Sequence, residues 1–456
     1  KMADEPSNKK RRKFSIGKAR WIGLVLLAAF LTVRVWDPGP LQTVRVKTFD
    51  FFQQLEPREI MKNSPVVIID LDEASLKEVG QWPWPRNQIA QMVANLFRMG
   101  VSVVGFDVIF AEPDRMNSDS VVKSLVGLDQ ETKDKLLTLP SNDAIFADLI
   151  KRAKKVVVGQ SVLPFERKYE GRKRLKSRVF ERRVNKDVPN PRDWVPGVPG
   201  LLRNVEPIET AAAGHGLLAL RPEVDGIVRR VPAFFKKSKK LYPAFSLEVM
   251  RVAFGKGGVV AKGTEAGIAD VNLQGSRRFL VPRTILEDDK IDKLPHDPKF
   301  NRLAFLEIDV GNGEKRLINR AALAGNKHPL QKFNKDFDKA KYTVLRTPRI
   351  RAATDRQGRI WPYFSKSDKS KYVSAKDILA AFDEKGQFTS SVALNKIQGK
   401  LALLGTSATG LLDIKTVPTE RFIPGVEVHA QLIESVLTNQ FLNRPEFVDA
   451  AEMGIA

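Results

Sequence analysis

The chain has 456 residues, 43% of them hydrophobic and none of them cysteine, with 76 basic against 53 acidic residues and a net charge of +23. The apolar supply suffices for one large core or two and excludes a wholly disordered chain. The lack of thiols excludes a disulfide framework, a thiolate zinc site and a cysteine nucleophile. No two of His215, His296, His328 and His429 fall at a metal-ligand spacing, so zinc hydrolysis is set aside and no metal or other cofactor is expected.

In chain order, residues 1–17 form a basic arm containing KKRRK, and residues 18–36 read as one transmembrane helix. Trp21 to Val33 is free of charge, but thirteen residues reach only about 20 Å, short of a hydrocarbon core of about 30 Å. Counting from Ile16 to Trp36 restores the length. Lys18, Arg20 and Arg34 then snorkel outward, and Trp21 and Trp36 sit at the two interfaces. The crowd of positive charge before the apolar run places the arm in the cytoplasm and the body, residues 37–445, on the far side of the membrane. Two readings compete with this anchor. A cleaved signal peptide lacks its small-x-small site, and a buried soluble helix is seldom preceded by so basic a stretch. KKRRK reads as a topology determinant rather than a nucleic-acid tag, so the lipid bilayer is an expected partner and nucleic acid is not.

From Pro65 onward, short β-branched runs alternate with helical periods, which predicts an α/β fold: a mixed, mostly parallel sheet covered by helices. Strand VVIID leads to helix NQIAQMVANLFRMG, strand VSVVGFDVIF, helix NDAIFADLIKRA and strand KVVVGQSVL. A hairpin-like DGIVRRVPAFF and helix FSLEVMRVAFG follow, then strand candidates from about 257 to 364 and helix SAKDILAAFD. Strand KLALLG, loop TSATGLLD and helix GVEVHAQLIESVLTN close the pattern. Asp225-Gly226 marks a tight turn, and Arg229 and Arg230 are expected on opposite faces of the strand after it, one of them turned toward an acid. Apart from the net charge of the arm, the remaining residues still carry +17 (68 bases, 51 acids from position 21 on), which favours anionic partners. RKYEGRKRLKSRVFERRVNK alone holds ten bases. Its ordinary reading is a solvated insertion; the sharper one is contact with anionic lipid or an acidic neighbour.

Several pieces together resemble one family. They are WDPGPLQTVRVKTFDFF, VVIIDLDEASLKEVGQWPWPR, GVSVVGFDVIFAEPDR, AAAGHGLLALRPEVDGIVRRVPAFF, YPAFSLEVMR, VSAKDIL, GKLALLGTSATGLLD and IPGVEVHAQLIESVLTNQFLNRP. In that order, from about residue 36 to 445, they resemble the extracytoplasmic CHASE sensor domain, class two. The resemblance implies a signal-transduction receptor that senses an unknown small molecule or protein and works as a homo-oligomer. It also implies that residues 446–456 begin a further membrane segment leading to an output domain, a kinase or an adenylate or guanylate cyclase, so that this chain itself is no enzyme. A basic insertion near 166–200 and a polar one near 276–370 exceed the family's core.

In an open parallel sheet, ligands are held at the carboxyl edge, where loops and helix N-termini converge. That rule makes Asp70, Asp72 and Asp107 candidate ligand contacts, joined by Thr406 and Ser407 of the Gly/Ser/Thr loop and by Arg86, whose guanidinium suits a carboxylate. Capping and packing compete at each: Asp72 precedes a helix start, and WPWP before Arg86 suits a pinned loop. No residue is assigned a catalytic role. VVIIDLDE also fits the hhhhDxDx pattern of haloacid-dehalogenase-like phosphohydrolases, with Asp70 as nucleophile, Asp72 as acid and magnesium on the phosphate. Glu73-Ala74 replaces the usual Gly-Thr there, and the second acidic strand precedes the threonine strand, the wrong order. An envelope assembly protein built on the sensor scaffold is the remaining alternative.

Overall fold

The structure is a computed structural model. It describes residues 18–36, 39–61, 63–255, 257–274, 278–282, 305–311, 314–319, 342–346, 350–390, 392–411 and 413–442. The basic arm, the predicted segment at 446–456 and most of the polar insertion therefore lie outside the described residues. Two compact units are present, one made of Lys1–Phe52 with Arg444–Ala456 and the other of Gln53–Asn443.

In the first unit, helix α1 covers Lys18–Trp36, matching the predicted span. No helix among the described residues is long and apolar enough to cross a membrane. The physical reason is that Lys18, Arg20 and Arg34 all fall within the nineteen residues, leaving too short an uncharged run. A second helix, α2 (Gly39–Leu55), follows where no element was expected.

The second unit is built on a seven-stranded sheet. Its strands are β1 (Val66–Leu71), β2 (Val103–Phe106), β3 (Val156–Leu163), β4 (Gly200–Leu202), β5 (Gly214–Leu217), β6 (Tyr372–Ser374) and β7 (Leu401–Thr406). They run in the order β6-β1-β7-β2-β3, and β3 pairs with both β4 and β5. All pairings are parallel except β3 with β4. The mostly parallel sheet expected from the alternating pattern is therefore present, with β7 reaching the middle of the sheet from late in the chain.

Period-two alternation divides the core. Val66, Ile68, Val103, Val157, Leu401 and Leu403 face one side. Val67, Ile69, Val104, Phe106, Val158 and Leu404 face the other, beneath helices α4 (Arg86–Arg98) and α5 (Asn142–Ala153), with α3 (Glu73–Val79) at the rim. On the first side lie α6 (Phe245–Ala253) and α7 (Gly425–Thr438). A four-stranded sheet of Val179–Arg183, Gly258–Thr264, Gly267–Gln274 and Ile350–Ala353 shares that same core. Helix α7 is thus enclosed, and Gly425 through Val436 are all buried. A helix so placed must pair every polar side chain it carries.

Four expectations need correction. The strand from residue 101 to 110 stops at Phe106. The hairpin lies later than DGIVRRVPAFF, between Phe234–Lys237 and Lys240–Pro243, while Val231–Pro232 pairs instead with Arg359 and Ile360. Arg229 and Arg230 are not in a strand, although Arg229 is buried against acids, at 2.7 Å from Asp225 and 2.9 Å from Glu223. The basic insertion is only partly a solvated loop, because Val179–Arg183 is a strand of the second sheet.

Candidate functional site

Strands β1, β7 and β2 end side by side, and the residues just past their ends gather at one edge. Asp70 pairs in register with Gly405, and Leu404 with Phe106. On these parallel strands alternation turns Asp70 toward the α7 side, away from Ile69 and Leu71. Both carboxylate oxygens of Asp70 are held by Ser407, whose backbone N–H donates at 2.9 Å and whose hydroxyl donates at 2.7 Å. Thr406 Oγ1 donates to Leu71 O at 3.1 Å, which fixes the start of the loop. Burial raises the Asp70 pKa and the nearby Asp72 adds to it, against the lowering effect of Ser407.

Asp70, Thr406 and Ser407 line a cleft of about 410 Å³. Its other walls come from Ser367, Lys369 and Tyr372 before and within β6, and from Asp413, Ile414, Phe422 and Pro424. The last four belong to the short hairpin Ile414–Val417/Glu420–Pro424 and its flank, which leads directly into α7. The floor is polar and satisfied. Tyr372 Oη donates to Glu427 at 2.6 Å and Ser367 Oγ to the same carboxylate oxygen at 2.7 Å. The rim is apolar and open, since Phe422 is 77% and Ile414 41% exposed. Such a cleft can hold a small ligand that offers polar groups inward and apolar surface to the rim.

The other candidates are placed differently. Asp107 lies just past β2, its N–H bonded to Leu404 O at 2.8 Å. Its pKa is raised well above the ordinary carboxylate value by burial of the carboxyl and by Asp413, against the lowering effect of Lys415. Asp107 therefore belongs to the same charged edge, beside a cleft residue. Asp72 accepts from Ser75 N at 2.8 Å, capping α3, and from Ser374 Oγ at 2.9 Å, so its carboxylate is committed to structure. Arg86 is not among the cleft residues. It opens α4, where its N–H donates to Asp114 at 2.6 Å, its guanidinium sits 4.7 Å from the Phe110 ring centre, and Asp143 is 3.7 Å away. The residues missed from sequence are Tyr372, Lys369, Asp413 and Phe422, because a cleft formed by three distant segments leaves no local spacing to read. Short period-two runs such as Tyr372-Val373-Ser374 were the available signal.

Asp107 supports a quantitative expectation. An unfolded aspartate titrates near ~3.9, and the folded value lies higher, so in between the folded state holds more protons and stability falls as pH rises. Above the folded value the penalty is complete. Asp107→Asn, a neutral stand-in, is expected to be more stable than the parent at neutral pH, with the difference vanishing toward pH ~4. Urea unfolding across that range measures it; a variant less stable at neutral pH refutes the assignment.

At the far end of α7 lies a second polar cluster. The Glu434 carboxylate takes bonds from Arg58 Nη2 at 2.5 Å, Ser64 Oγ at 2.5 Å and Lys371 Nζ at 2.9 Å, and all three charged side chains are no more than 2% exposed. Burial pushes the Glu434 carboxyl up, but Lys371, Arg58 and Ser64 outweigh it and leave it below the ordinary range. Since Ser64 precedes β1 and Thr406 ends β7, α7 runs from the cleft at the carboxyl edge to this cluster at the amino edge. Midway, His429 is neutral, lowered to about 4 by burial, with Ser246 Oγ 2.9 Å from its Nδ1.

No match is found among curated proteins or among solved structures. The sequence profile of the CHASE2 domain matches residues 24–453, nearly the whole chain. That match agrees with the family whose motifs run through the sequence. A sensor domain of this kind is not catalytic, and Asp72, the acid of the phosphohydrolase pattern in β1, caps α3. The chain belongs to the CHASE2 family, extracellular sensor domains of signalling receptors.

Proposed function

We propose that this chain is the membrane-held, extracytoplasmic head of a bacterial receptor, which takes its stimulus in the cleft beside Asp70 and passes the change along α7. The observation that carries the proposal is that one buried helix joins the two polar sites: Glu427 in its first turn bonds Tyr372 of the cleft, and Glu434 in its last turns bonds Arg58, which follows α2 in the chain. A ligand that bonds differently to Tyr372 or Asp70 biases the position of a rigid element whose other end is locked to Arg58. The output domain, a cyclase or a kinase, lies beyond this chain, and a homo-oligomer gives it paired inputs.

Support for the anchor is exposure rather than hydropathy. Trp21, Ile22, Leu24, Val25, Leu26 and Phe30 of α1 are all exposed, an apolar row that lipid accommodates better than water. Continuing the sequence back to Ile16 supplies the missing length, with basic side chains reaching the interface.

Topology is directly testable because the chain has no native thiol. Val224 is fully exposed. A single Val224→Cys change in intact cells is expected to react with a membrane-impermeant maleimide without permeabilisation. Reaction only after the membrane is opened places the head in the cytoplasm and defeats the proposal.

A further inference from the structure

We infer that the outward face of the basic edge strand, Val179–Arg183 with its flanks, is a docking surface for an anionic phospholipid layer. This strand is the outermost of the second sheet, paired in parallel with Gly258–Thr264. Its alternation separates two faces. Val179 packs on the core and Glu181 is held by Arg192 at 2.9 Å, so these two side chains point inward. Arg178, Phe180, Arg182 and Val184 point outward and all are exposed, Phe180 at 52% and Val184 at 59%.

Bases and apolar groups thus alternate at the roughly 6.6 Å spacing of every second strand residue. The Phe180 ring lies over Gly258 of the next strand and still leaves about half its surface to solvent, in line with the guanidinium groups of Arg178 and Arg182. Edge strands do carry charge to prevent pairing with other chains, but that role is served by bases alone and is weakened by Phe180 and Val184. An interfacial surface uses both kinds of side chain: the cations bind lipid phosphates and the apolar groups enter the headgroup layer. The next strand extends the same row with Lys262, the register partner of Arg182, and beyond it stands Arg351. Both approach Asp270, the one acid that these registers place on this face, which leaves the face strongly positive. An anionic lipid layer fits best because charge complementarity and apolar insertion are both required, and a soluble acidic polymer satisfies only the first.

The proposal rests on the membrane-held reading above, and its test separates the two. Full-length chain in nanodiscs carries one engineered thiol, labelled with a polarity-sensitive bimane: Val184→Cys reports the face, and Trp21→Cys reports the anchor. The Val184 probe is expected to shift to the blue in discs containing phosphatidylglycerol and not in pure phosphatidylcholine. Raised salt abolishes the shift. Arg178→Gln with Arg182→Gln lowers the docked-to-free ratio roughly thirty-fold, at about seven-tenths of a tenfold step per base. A blue Trp21 probe with an unshifted Val184 probe overturns the docking face and leaves the anchor standing. A shifted Val184 probe with an unshifted Trp21 probe does the reverse, and no shift at either site removes both. If polyphosphate without lipid reproduces the Val184 shift, the partner is a soluble polyanion and the lipid assignment is wrong.

Discussion

Glu434→Ala is expected to destabilise the sensor domain by about 3–5 kcal/mol, the cost of leaving buried partner charges without their counterion. Arg58 and Lys371 are 1% and 2% exposed in their side chains, so water cannot replace the carboxylate without local opening. That cost is a large fraction of the ~5–15 kcal/mol that typically holds a domain together. The sign of the pH effect follows from the lowered carboxyl. Glu434 contributes stability that is present above the unfolded carboxylate value and lost as pH falls through its lower folded value. The same reasoning predicts that an apolar replacement of all three, Glu434→Leu with Arg58→Met and Lys371→Met, recovers most of the loss, since buried charge clusters rarely outperform well-packed hydrophobic groups. Urea unfolding of the parent and both variants decides the matter. A single-variant cost below about 1 kcal/mol would show that the two cations reach solvent, and the cluster could not then lock α7 to Arg58.

The sheet and most of its helices were legible because they obey local rules. VVIID and KLALLG are buried on both faces and read as continuous apolar runs, and α5 has apolar residues at helical spacing after a serine cap. Helix α2 was not legible: its exposed Val44, Phe51 and Phe52 make no clear stripe. Asp70, Thr406 and Ser407 line one cleft, in keeping with the general rule about carboxyl edges, which concerns strand ends and needs no partner information. Arg86 lies away from the Asp70 cleft, because its nearness to the edge in sequence says nothing of which side of the sheet α4 covers. Asp114 and Asp143, which hold it, lie on segments far along the chain. Tyr372 illustrates the opposite limit. Its role depends on pairing β6 with β1 across some three hundred residues, and no local pattern encodes that register.

Gly405→Ala is expected to cost about 1–3 kcal/mol and to disturb the cleft at the same time. A Cβ on Gly405 meets the Val426 side chain, with Cβ only 2.5 Å and the two methyls 2.7 and 2.8 Å away. These are carbons of a β-branched residue in the first turn of a buried helix, so a rotamer change cannot clear all three. Helix α7 has to lift from β7 instead. That motion draws Glu427 from Tyr372 and changes the floor of the cleft, which is the displacement a ligand is proposed to cause. Val426→Gly removes all three contacting carbons, at a helix-propensity cost of its own of about 1 kcal/mol. The double variant is therefore expected to be more stable than the sum of the two single losses predicts, by an interaction energy of about 1 kcal/mol or more. Strict additivity in equilibrium unfolding would show that α7 and β7 adjust independently. A helix free to move without straining the sheet would carry no information from the carboxyl edge to Arg58, and the relay through α7 would have to be abandoned.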